Sequence, residues 1–179
     1  MGHRQGVVPV SEERLVVLEI TRIEATHLAG LVVQFLDLLD DSAGTSESGD
    51  PAIARLVPDA YRGDAVSARE FREVTETDLL GRRTTDSRVV LETLGPDAQL
   101  DDDSGLGLDD PRLEQILTLA LDAEQVRAWM RTLAAIRLVI ATRLGIVTDD
   151  DHDEDDSRFG IYDWLGFRLD GLVRAATVD

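Results

Sequence analysis

Glu70, Arg72, Thr75, Asp78, Arg82 and Arg137 have the side-chain types and the helical setting to form a polar network. Phe71, Thr75, Asp78, Leu79 and Arg82 recur at spacings that share one helix face, and Arg137 stands between Leu133, Ile136 and Ile140. A guanidinium held among aliphatic side chains needs a carboxylate, because an unpaired buried charge is destabilising by several kcal/mol. Asp78 and Glu70 are the natural partners. Such a group can be an anion or carboxylate pocket built from Arg137, Arg82 and Arg72, exploiting the planar fork of arginine. It can equally be a buried ion pair that sets helix register, the commoner use of such a network.

Metal chemistry is weakly supported. The run Asp149-Asp150-Asp151-His152-Asp153-Glu154-Asp155-Asp156 offers hard oxygen ligands and one imidazole, but an EF-hand starting at Asp149 wants glycine sixth and glutamate twelfth, where Glu154 and Gly160 stand. The cluster Asp101-Asp102-Asp103-Ser104-Gly105 lacks a downstream bidentate glutamate. Both read as solvated charge runs, since blocks of like charge repel. His3, His27 and His152 fall in no two-ligand helical spacing. There is no G-x-S-x-G, no Walker loop and no G-x-G-x-x-G following a strand, and Gly105-Leu106-Gly107 lies in a linker. No catalytic, cofactor-binding or metal-binding residue is therefore assigned, and the chain reads as a non-enzyme.

Aromatic residues form the second constellation. The chain has two Trp, two Tyr and four Phe, and four of these eight, Phe159, Tyr162, Trp164 and Phe167, fall between 159 and 167. They point to more than one side of a helix, so Tyr162, Trp164 and Phe167 are candidate interface residues, aromatic side chains being common interface anchors. Trp129, on its own amphipathic stretch, reads as core.

The elements that must position these groups follow from periodicity and caps. Residues 14 to 20 form a β-branched, leucine-rich strand, and Thr21 with Glu24 makes a capping box opening a helix over 22 to 40. Leu28, Leu31, Val32, Phe35, Leu38 and Leu39 lie on one face of that helix. Residues 41 to 49 are a loop, and Asp50-Pro51 starts a short helix carrying Ile53 and Leu56 up to Pro58. Asp64 caps a third helix that ends at Gly95-Pro96, with a weak point at Gly81, and 97 to 111 form a Gly-rich linker. The layout then recurs: strand 116 to 121, capping pair Asp122 and Gln125, and a helix with Trp129, Leu133, Ile136, Ile140 and Leu144 up to Gly145. Those two strands, near 14–20 and 116–121, can pair in one small sheet. After the acidic run, Ile161, Trp164, Leu165, Leu169, Leu172 and Val173 make a last amphipathic helix over about 160 to 175. The expectation is a mostly α, helical bundle-like single domain spanning 1–179, with a small β element and flexible acidic segments near 41–49, 97–111 and 148–158.

Composition narrows function. With 18 basic and 36 acidic residues the net charge is −18, which repels phosphate backbones and anionic membranes. All the basic residues are arginine, and lysine, asparagine and cysteine are absent, as expected of a GC-rich genome. Nucleic acid and membrane are thus disfavoured as partners. Residues 1 to 10 have no apolar core of signal-peptide length, no stretch reaches a membrane span of about 18 apolar residues, and a cytoplasmic location is expected.

Three segments together carry a family resemblance: Leu56-Val57-Pro58-Asp59-Ala60-Tyr61; Glu70-Phe71-Arg72 followed by Thr75, Asp78, Leu79 and Arg82; and Trp129 with Leu133, Arg137-Leu138 and Arg143-Leu144-Gly145. Over 14 to 175 the chain resembles an actinobacterial domain-of-unknown-function family, number two thousand and seventeen. The resemblance implies a mostly helical fold, a gene beside that of the Clp protease adaptor for N-degrons, and no known activity. The family pattern has a polar pair where this chain has Ala134 and Ala135. The combined expectation is a non-enzymatic protein-binding or regulatory protein linked to Clp-dependent proteolysis, with a protein partner or a homo-oligomer. The alternative is an anion or small-ligand binding protein, or an enzyme, using the Arg/Asp network.

Overall fold

The computed structural model describes residues 15–43, 50–57, 65–98, 110–153 and 155–177, without the side chains of 43, 65–75, 97 and 149. Its elements run β1 (Val16–Thr21), α1 (Arg22–Ala43), α2 (Pro51–Leu56), α3 (Ala65–Leu94), β2 (Ile116–Leu121), α4 (Ala123–Leu144) and α5 (Gly160–Thr177). The fold is mostly α with one two-stranded antiparallel sheet, in which Val16 faces Leu121 and Thr21 faces Ile116. Alternation accounts for the sheet. Val16, Leu18, Ile20, Leu117, Leu119 and Leu121 pack toward the core, whereas Val17, Glu19, Thr118 and Ala120 face outward. The ladder continues past β1, where Arg22 N donates to Gln115 O at 2.8 Å.

Local capping chemistry starts the helices. At the α1 start, Glu24 N donates to Thr21 Oγ1 at 3.3 Å while Thr21 N donates to Glu24 Oε2 at 3.0 Å. Asp50 accepts from Ala52 N at 2.8 Å, with Pro51 at the first helical position of α2. Asp122 accepts from Gln125 N at 2.8 Å and Gln125 Oε1 accepts from Asp122 N at 2.9 Å, a reciprocal box at the head of α4. The helix ends at Gly145, whose φ of 77° closes it in the left-handed conformation. Asp122→Ala should lower stability by about 1 kcal/mol and Tm by roughly 2 to 4 °C. Thermal unfolding checks this, and an unchanged Tm would mean the box is redundant with packing.

α4 is the centre of the molecule, packing against α3, α5, α2, α1 and β2. Val126, Trp129, Leu133 and Ile136 on α4 meet Leu28, Val32, Phe35 and Leu39 on α1, Val90 and Leu94 on α3, and Leu165 and Leu172 on α5 in one cluster. The stripe on α1 matches the three- and four-residue steps expected of it, with Leu31 and Leu38 at its half-buried margin. α1 runs on to Ala43, into the stretch expected to be loop.

Three expectations change. α3 is continuous through Gly81, because a glycine costs only about 1 kcal/mol in a helix interior and the flanking turns are anchored by packing. The segment 148–158, expected as a featureless acidic run, contains turns: Asp151 Oδ2 accepts from Val147 N at 2.9 Å and Thr148 N at 2.8 Å, and short 3-10 turns span Asp149–Asp151 and Ser157–Phe159. Short acid side chains terminate turns by binding the chain's own N–H groups, which offsets their repulsion. On α5, Ile161 is 54% exposed, and on α4 Leu144 is 36% exposed. Asp64, the cluster 101–105, most of 97–111 and 44–49 lie outside the described residues. Among those described, no helix is long and apolar enough to cross a membrane.

Candidate functional site

The described members of the expected network, Asp78, Arg82 and Arg137, are not brought together as a buried unit. Leu80, Ser87, Val90 and Leu94 form the inward stripe of α3, and two residues along a helix is about 200° of rotation, so Asp78 and Arg82 face away from the core and are exposed. Glu70, Arg72 and Thr75 lie on α3 where side chains are outside the description. Arg137 makes no pair with Asp78. It projects instead toward α5, about 120° around α4 from Arg131, which faces α3.

Asp78 and Arg82 line an open hollow of about 850 Å³ between α3 and α4, together with Arg83, Asp86 and Arg131. Its cations are largely committed. Arg131 Nε and Nη2 grip Asp86 at 2.7 and 2.8 Å, and this fork holds the guanidinium pKa above its usual value. Arg83 Nη2 donates to Leu56 O at 3.1 Å, and burial pushes its pKa down. The hollow therefore mixes both signs, with Arg83 tying α3 to the end of α2.

A polar hub that the sequence did not disclose lies where β1, α1 and α5 meet. Trp164 Nε1 donates to Glu24 Oε1 at 2.9 Å, Arg168 Nη2 donates to the same oxygen, and Thr21 N and Oγ1 occupy Oε2. Arg168 also reaches Glu19 O at 3.1 Å, so one guanidinium joins α5 to the outer edge of β1. Burial pushes the Glu24 carboxyl up, but donation from Arg168, Trp164 and Thr21 outweighs it and lowers the pKa to about 2. With the Arg168 side chain 17% exposed and that of Glu24 28%, the pair is half-buried and fastens α5. The capping box flagged Glu24, but nothing local signalled partners 140 and 144 residues away.

Arg137 rests on α5. Its guanidinium carbon is 3.7 Å from the centroid of the Tyr162 ring, and its Nε donates to Tyr162 O at 3.2 Å. Gly166, one turn on, leaves room for it: a Cβ there would stand 3.2 Å from Arg137 Nε. Arg137 lines a hollow of about 250 Å³ with Arg55, Leu138, Ile146, Tyr162 and Leu169. Arg55 Nη1 donates to Ile146 O at 3.1 Å, pinning α2 to the segment after α4, and Arg143 pairs with Asp50 at 2.6 Å at the other end of α2.

The three candidate interface residues divide. Trp164 is half-buried against the core and bound to Glu24; Tyr162 is half-buried beneath Arg137, beside His152 and the buried Phe159. Phe167 is 70% exposed. Arg168 stands 5.9 Å from the Trp164 ring and 5.8 Å from that of Phe167, so the three side chains form one continuous ridge on α5. His152 Nε2 lies 2.7 Å from Asp163 Oδ1, and no group of three or more His, Asp or Glu converges among the described residues.

The residues carrying the family resemblance have structural work here: Leu56, Trp129 and Leu133 are core, Arg137 packs on α5, Arg143 holds α2, and Gly145 ends α4. No curated protein matches the chain, and no solved structure does. The profile of the family described as "Domain of unknown function (DUF2017)" matches residues 5–176, and the chain belongs to that family.

Proposed function

We propose that this chain is a non-enzymatic protein-binding or regulatory protein of the actinobacterial cytoplasm, acting alongside Clp-dependent proteolysis, and that it engages its partner through the Phe167 ridge of α5. The observation that carries this reading is Phe167 itself, a large aromatic 70% exposed on a helix whose other face is sealed by Leu165 and Leu172. An exposed aromatic gains nothing from folding, and it is the residue type that most often anchors an interface. Arg168 and Trp164 beside it are already immobilised by Glu24, so a partner meets a rigid surface and little ordering entropy opposes binding. The Clp connection and the actinobacterial setting come from the gene neighbourhood and source that the family resemblance implies. A strongly acidic surface, at net charge −18, favours a partner with a basic rim and disfavours nucleic acid and anionic lipid.

Phe167→Ser is the test. Stability should stay within about 0.5 kcal/mol of the parent, because an exposed side chain is replaced. Affinity purification from the native cytoplasm with mass spectrometry should recover the Clp adaptor or protease with the parent and lose it with the variant. Light scattering on both proteins reports whether the partner is a second copy. Equal recovery with a folded Phe167→Ser protein sinks the proposed surface.

A further inference from the structure

Arg137 and Arg55 are the only described arginines sharing the α2, α4 and α5 hollow, and neither meets a carboxylate among the described residues. In a chain with twice as many acids as bases, two guanidiniums beside one hollow with no carboxylate partner among the described residues stand out. Three described acids of the adjoining segments are engaged elsewhere: Asp50 by Arg143, Asp151 by Val147 N and Thr148 N, and Asp163 by His152.

Arg137 is half-buried and held on three counts, by the Tyr162 ring, by the Tyr162 carbonyl at Nε, and by close approach to Gly166. Its two Nη groups have no acceptor among the described residues. A guanidinium whose Nε is tethered and whose face is stacked presents its remaining edge in a fixed plane, which suits the two oxygens of a carboxylate. Arg55 is exposed and stands at the mouth, while Leu138, Ile146 and Leu169 supply an apolar wall. At about 250 Å³ the hollow falls below the range of drug-sized pockets, so the occupant is small.

We propose that this hollow binds a small carboxylate with a compact apolar body, its oxygens on Arg137 and Arg55 and its body against Leu138, Ile146 and Leu169. The site is separate from the Phe167 ridge and does not depend on the protein-binding reading. A doubly charged phosphate is the poorer fit, because part of its charge would lie against the apolar wall, where an unmatched charge is costly.

Benzoate is a suitable probe, titrated into the full chain by calorimetry and by NMR, with methyl benzoate and inorganic phosphate as comparators. Saturable binding of benzoate at millimolar concentration or tighter is expected, with no binding of the ester and weaker binding of phosphate. Arg55→Met and Arg137→Met should each weaken benzoate at least about tenfold, as the loss of one charge-assisted hydrogen bond requires. Arg55 lies at the rim, so its variant keeps the test open if Arg137→Met fails to fold; circular dichroism checks both. The proposal is overturned by absence of saturable benzoate binding, by equal binding of the ester, by phosphate binding as tightly as benzoate, or by a folded Arg55→Met protein of unchanged affinity.

Discussion

Replacing Glu24 with alanine is expected to lower stability by about 2 to 4 kcal/mol and Tm by roughly 5 to 15 °C. One carboxylate accepts from Thr21 N, Thr21 Oγ1, Trp164 Nε1 and Arg168 Nη2, and its loss strands all four donors. The heaviest consequence falls on Arg168, whose half-buried guanidinium loses its carboxylate while its Nε already has no partner among the described residues. Since that arginine also binds Glu19 O, α5 should loosen from β1 together with the start of α1. Urea unfolding measures the loss. A cycle with Arg168→Met should show a coupling of about 1 kcal/mol or more, and additivity within about 0.5 kcal/mol would mean that the two side chains do not act as a pair.

The same hub sets a pH dependence. The Glu24 carboxyl has a pKa of about 2 in the folded chain against 4.5 as the unperturbed value, so folding favours its ionised form. Its contribution is therefore fully present above about pH 4.5 and is lost as pH falls through about 2. At about 1.4 kcal/mol per unit the shift corresponds to roughly 3 kcal/mol, reduced to about 2 by the solvent reaching this half-buried pair. Asp50 and Asp110 are also held below their ordinary range, by Arg143 and Arg112 respectively, so other carboxylates titrate over the same acid range. The stability gap between the parent and Glu24→Gln isolates the one residue: it should be widest near pH 6 and shrink toward pH 2. A gap independent of pH would remove the charge from the explanation.

What the residue order disclosed, and what it concealed, follows from the range of each interaction. Thr21 with Glu24, Asp50 with Pro51, Asp122 with Gln125 and Gly145 are local signals, each readable within four residues, and each stands where expected. The strands are legible because β2 is wholly uncharged and β1 is rich in branched side chains, and an apolar face on each suffices to expect pairing but not its antiparallel sense. Asp78 and Arg82 read as inward for a physical reason. α3 is so polar that two faces offer comparable stripes, and its inward face includes Arg83 and Ser87, which no hydrophobic pattern singles out. Reading Asp78 and Arg82 as inward places them about 160° from the true contact direction, marked by Leu80. Arg137 is a half-buried guanidinium whose partners are an aromatic face and a carbonyl on α5, and neither is a charge that sequence reasoning can match.

The largest single effect is expected at Trp129. Its side chain is 1% exposed at the middle of the α4 packing, where α1, α3 and α4 share one cluster. Tryptophan to alanine in such a site combines lost transfer free energy with a cavity the neighbours only partly fill, which gives about 3 to 5 kcal/mol. Polar loss adds to it. Trp129 Nε1 donates to Thr93 Oγ1 at 2.7 Å, and Thr93 Oγ1 in turn donates to Val90 O at 2.9 Å, so the indole heads a short hydrogen-bond chain on α3. Trp129→Phe should keep most of the packing and cost about 1 to 2 kcal/mol, separating ring from hydrogen bond. Because the chain has only two tryptophans and Trp164 is half-buried, removing Trp129 should also shift the remaining emission to the red. Denaturant unfolding of both variants checks the ranking. A Trp129→Ala protein within about 1 kcal/mol of the parent would show that α4 is held by its ends, through Asp122 and Arg143, rather than by its centre.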